Sequence, residues 1–173
     1  MKSNNSLSKN IIIKYGIILG IMTITRSIIV YITGNYTNGN GELLGMIDGL
    51  TLICIITYGL YKYKFSNKGF LKLKEALKIG IAIALLGGAI PLIWNVLLMN
   101  FIEPDMINQM LNKRYEEMLK SDVSKEQIKQ NLIVNEKLLT SYGNTAIRLF
   151  SNLLFGFIIS LTGGLIMRKK QNL

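Results

Sequence analysis

The sequence contains no histidine. That removes the commonest metal ligand and the side chain most often used as a general base near neutral pH. It has one cysteine, Cys54, so no disulfide can close within the chain, and a lone thiol in an apolar run reads as packing. Acidic residues are scarce: 10 Asp and Glu stand against 20 Lys and Arg, for a net charge of +10. Charged residues make up only 17% of the chain and hydrophobic ones 50%. A water-soluble domain of 173 residues would need more polar surface than this supplies.

Catalytic patterns are missing too. Serine or cysteine nucleophiles have no base placed by a visible motif. The paired glycines Gly87-Gly88 and Gly163-Gly164 lie inside apolar runs and form no phosphate-binding loop. Glu103 with Asp105, and Glu116 with Glu117, read as helix-start and solvated-face residues, not metal ligands. The residues therefore predict no enzyme, no metal site and no cofactor.

What the sequence does have is length in its apolar runs. Four of them reach the roughly 20 residues that a membrane-spanning helix needs. They predict spans at about 11–33, 43–61, 76–102 and 146–167 within a single membrane domain. The N-terminal run superficially resembles a signal peptide, but it is too long, Lys14 interrupts it and no small-residue cleavage site follows. It is expected to remain as the first span.

The connecting segments differ in character. The segment 34–41, GNYTNGNG, reads as a turn without a basic residue. The next, YKYKFSNKGFLKLKEALK, carries Lys62, Lys64, Lys68, Lys72, Lys74 and Lys78 against a single Glu75. Asn67 reads as an N-cap, and the interleaved Phe70, Leu71 and Leu73 predict a short interfacial helix leading into span three. Lys62, Lys64, Lys68, Lys72 and Lys74 are expected to meet anionic lipid headgroups, not nucleic acid. The 103–145 segment is mixed in charge and predicts a helical hairpin. Pro104 suits a first helical position, Ser124 with Gln127 forms a capping-box pattern, and Tyr142-Gly143-Asn144 reads as a turn. The positive-inside rule then places both termini and the lysine loop in the cytoplasm and 103–145 outside.

Each span carries a stripe of small residues, and these let helices approach closely in lipid. The stripes include Gly16 and Gly20, Gly45 and Gly49, Gly87 with Pro91, and Gly156 with Gly163. Pro91 cannot donate to the Gly87 carbonyl, which predicts a kink. Bundle packing and a dimer motif both fit these stripes.

Polar residues interrupt the spans at one depth. At about 1.5 Å per residue, Arg26, Asp48, Asn95 and Asn152 all fall roughly 7–10 Å from the outer ends of their helices. Intramembrane charge is costly and needs a partner. Arg26 is therefore expected to pair with Asp48, with Asn95 and Asn152 completing the hydrogen bonds. Such a cluster fits a polar clamp that fixes helix register, and it also fits a small site for an ion.

The stretches YGIILG, GFLKLKEALKIG, IEPDMINQMLNKRYEEML, SDVSKEQIKQ and GGLIMRKK occur in this order, and with them the chain resembles the bacterial domain of unknown function family 4199. The resemblance implies a small four-span membrane protein and brings no catalytic residues. The expected fold is all-α, an integral membrane four-helix bundle with an extracytoplasmic helical hairpin between spans three and four. The expected location is the bacterial inner membrane. The leading functional expectation is a non-enzymatic structural or interaction protein whose 103–145 segment meets a protein partner. The alternative is a small transporter or channel subunit using the Arg26/Asp48 cluster. Beyond the lipid bilayer, both a protein partner and self-association are left open.

Overall fold

Long apolar runs become long helices because a backbone in lipid must satisfy its own hydrogen bonds. In the computed structural model residues 2–33, 41–120, 126–128, 130–131, 134 and 141–169 are described, those at 126–128, 130–131 and 134 being helical, and five helices have defined bounds. They are α1 (Lys2–Ile32), α2 (Gly41–Ser66), α3 (Leu73–Leu97), α4 (Met106–Leu119) and α5 (Ser141–Met167). A π-helical turn, Leu98–Ile102, extends α3. Four of the helices, α1, α2, α3 and α5, are long and apolar enough to cross a membrane. Among the described residues the only extended pairing is one bridge, Leu71 with Lys169. The fold is an all-α membrane bundle.

The ring runs α1–α3–α5–α2, with the most extensive packing on the two faces of α3. Glycine sets that closeness. A Cβ on Gly16 would lie 2.7 Å from the Leu86 side chain, and one on Gly20 would lie 2.7 Å from Ile90, while Leu19 fills the space over Gly87. On the other face Ser160 sits over Gly80, Ala84 against Gly156, and Asn152 over Gly88. With no hydrophobic drive between helices in lipid, this interlocking is what holds them together. Gly163 lies in looser contact, its would-be Cβ 3.3 Å from Leu60. Gly45 and Gly49 behave differently from their motif: nothing lies within 4 Å of an added Cβ. Neither packs against a described residue.

Two apolar clusters divide the bundle lengthwise. The larger includes Tyr15, Ile56, Leu60, Ile79 and Ile83 and sits toward the end that carries the α2–α3 linker. Leu71 and Lys169 exchange backbone hydrogen bonds there (3.0 and 3.2 Å), and Lys78 donates to Asn5 (3.2 Å). This is the lysine-rich end. The smaller cluster, Leu98, Met99 and Met106 with Tyr31 and Trp94 against it, closes the far end.

Several local expectations are corrected. Residues 67–72 form no interfacial helix. Instead α2 continues through Lys62 and Lys64 to Ser66, and a turn follows with Lys68 at φ 55° and Gly69 at φ 81°. Two successive left-handed residues end a right-handed helix. Asn67 does not cap α3; its amide donates to the Phe70 carbonyl (3.0 Å). The α3 start is held by Glu75, which accepts from the Lys72 backbone N–H (3.0 Å). Lys72 and Lys74 are exposed. Pro104 lies in a turn and α4 begins at Met106. Residues 142–144 are already inside α5. The Ser124 cap and most of the second hairpin helix lie outside the described residues.

Candidate functional site

Between the two apolar clusters lies the polar level, and α1, α2, α3 and α5 each contribute to it. Arg26 projects from α1 onto Asp48 of α2, with Nε 2.5 Å from Oδ1. Both side chains are only partly covered, 20% exposed for Arg26 and 39% for Asp48. The N-terminal part of α2 has no buried residue between Leu44 and Thr51, which leaves the carboxylate uncovered on that side.

The two asparagines line a cleft together with Asp48, but they do not bond to the ion pair. Asn95 donates its amide to the Pro91 carbonyl one turn back (3.0 Å). Asn152 lies with its amide against Gly88, 2.6 Å from where a Cβ would stand. Close α3–α5 packing takes up Asn152, and α3's own backbone takes up Asn95.

A residue that the sequence reading left out joins the pair. Arg148, in the second turn of α5, lines two adjoining clefts together with Asp48 and Asn95. It is close enough to act electrostatically on both Asp48 and Arg26. The signal was present: Arg148, Ser151 and Asn152 recur at helical spacing on one face of the last span. The smaller cleft, about 160 Å³, reaches inward past Thr23 and Asn152. The larger, about 440 Å³, opens toward the far end past Arg26, Ser27 and Tyr31.

The outer wall of the larger cleft is built by α4. Met106 and Met110 face it, and Met106 packs with Leu98 and Met99. Glu103 ties this wall down: Gln109 Nε2 donates to its Oε1 (3.1 Å), and the Tyr31 hydroxyl approaches its Oε2 at 3.5 Å. On the α3 side the Trp94 indole N–H donates to Ser27 Oγ (3.1 Å), joining α3 to α1 at the cleft edge. Among the described residues no cluster of three or more Cys, Asp or Glu side chains is placed to hold a metal ion.

Among the described residues that line the clefts, the charged side chains are Arg26, Arg148 and Asp48. Guanidinium groups present fixed forks of N–H donors that match oxyanions. A family model described as a protein of unknown function (DUF4199) matches residues 14–169. No curated protein and no solved structure matches the chain.

Proposed function

Since this chain belongs to the DUF4199 family, a family described only as of unknown function, we propose that it is a non-enzymatic membrane protein that binds a small anion in the Arg26–Asp48–Arg148 cleft, as a transporter subunit or a solute receptor. In this reading it sits in the bacterial inner membrane with both termini cytoplasmic, and the cleft opens to the outside.

One observation carries the reading: the bundle is not closed around Asp48. A register clamp alone needs a packed, dry surround. Here two clefts meet at the ion pair, and Arg148 lines both of them. An anion seated between Arg26 and Arg148 would accept from two guanidinium forks, whose geometry matches oxyanions. One bundle of four helices leaves little room for an open pore, which favours binding or carrier behaviour over a channel.

Interaction through 103–145 is the second reading. It is favoured by Tyr115 and Leu119, which stand exposed on α4 at 42% and 55%. Met106 and Met110, the other half of that apolar face, are occupied with the cleft wall.

The single tryptophan, Trp94, lies one hydrogen bond from the cleft wall and serves as a native probe. Acetate, phosphate and chloride titrated separately into protein in nanodiscs should change its fluorescence saturably for at least one of them. Arg148→Gln should lose that change, and Lys74→Gln should keep it. A response that is linear, or the same in both variants, rejects the anion site.

A further inference from the structure

The groove on the opposite half of the molecule carries a second site. Toward the lysine-rich end an open surface groove of about 760 Å³ is lined by α1, α2 and Met167 of α5. Its walls are Tyr15 and Ile18 from α1 and Ile53, Cys54, Tyr58 and Tyr61 from α2. Two cations stand against tyrosine rings that line this groove. Lys14 Nζ lies 5.9 Å from the Tyr15 ring centre and Lys62 Nζ 5.4 Å from the Tyr58 ring centre. The rings themselves are joined, Tyr15 to Tyr58 edge-on at 5.7 Å and Tyr58 to Tyr61 stacked at 6.2 Å. One aromatic group thus holds two ammonium groups beside one apolar slot.

We propose that this groove binds an anionic phospholipid, with its phosphate between Lys14 and Lys62 and one acyl chain along Tyr58, Cys54 and Ile18. Charge complementarity selects the occupant. Two lysines tethered to neighbouring rings, beside an otherwise apolar groove, match a molecule that is anionic at one end and hydrocarbon for the rest. Depth agrees: Tyr61 to Cys54 spans roughly 10 Å along α2, about two-thirds of one leaflet of a ~30 Å hydrocarbon core. Tyrosines belong at that interface level. A second copy of the chain docked on this face would bring its own Lys14 and Lys62 toward this pair, and like charges oppose that contact. This site differs from the general attraction of the linker lysines in pairing Lys14 and Lys62 with rings of one apolar groove.

The test uses the full chain in phosphatidylcholine vesicles containing either a photoactivatable-acyl phosphatidylglycerol or the matching phosphatidylcholine. Crosslinks from phosphatidylglycerol should map to residues 53–61 and exceed those from phosphatidylcholine. Lys14→Gln with Lys62→Gln should lower that preference roughly tenfold, whereas Lys68→Gln with Lys74→Gln removes the same charge and should leave it. Thr57→Trp, which fills the groove and keeps every lysine, should lower the yield from both lipids. Equal labelling by the two lipids overturns the site. So does an equal loss in the two lysine pairs.

Discussion

The charge balance around Asp48 rests on individual side chains. Arg26 lies 2.5 Å from it and Arg148 lines the same clefts. If the Arg26–Asp48 contact is a pair, exchanging the two charges should restore what either single change removes. Arg26→Asp and Asp48→Arg should each lower resistance to detergent unfolding, and the double variant should recover most of the loss. A double variant no better than the singles denies the pairing. The glycines separate in the same way. A Cβ on Gly80 would run into Ser160, whose hydroxyl donates to the Gly156 carbonyl of α5. Gly80→Ala should cost about 1–3 kcal/mol, as overpacking does. Gly49→Ala meets nothing within 4 Å and should cost nothing measurable in the same unfolding assay. The two substitutions are chemically identical, so their difference isolates packing from propensity.

Elements explain which features were legible in the sequence. Span positions follow from length and hydropathy, and a constant helical rise put Arg26, Asp48, Asn95 and Asn152 at one depth. Arg148 escaped because an arginine near the end of an apolar run ordinarily anchors at the interface. Gly45 and Gly49 repeat the Gly16–Gly20 motif, yet small residues only permit close approach and do not compel it. The linker misled because lysines alternating with apolar residues suit an interfacial helix as well as a turn. What decides it is a left-handed Lys68 beside Gly69, a backbone state lysine adopts at some cost. Substitutions there should act in opposite directions. Lys68→Gly should stabilise, or at least not harm, because glycine holds φ 55° without Cβ strain. Gly69→Ala should destabilise by about 1 kcal/mol, although nothing lies within 4 Å of the added methyl. Melting both variants in one detergent checks the pair; a loss on Lys68→Gly would mean that its side chain, not its backbone, shapes the turn.

At the scale of the whole molecule the bundle is uneven along its length. Toward the lysine-rich end Leu52, Ile55, Ile56, Leu60 and Tyr63 of α2 are all buried. Toward the far end the described residues Leu44–Thr51 of α2 include none that is buried, and the clefts open there. A helix anchored at one half and loose at the other opens locally from the loose half. Amide hydrogen exchange should therefore be faster over residues 44–51 than over 55–63, because water reaches the first through the cleft while neighbouring helices cover the second. The anion reading adds a further consequence. A ligand that bridges Arg148 on α5 and Arg26 on α1 ties the two neighbours of α2 together across Asp48, so saturating anion should slow exchange over 44–51 and leave 55–63 unchanged. In Arg148→Gln the uneven baseline should persist, because it comes from packing, while the slowing on adding anion should vanish. Uniform exchange along α2 would remove the structural basis of the cleft. An uneven baseline with no effect of anion would keep the cleft and reject its occupant.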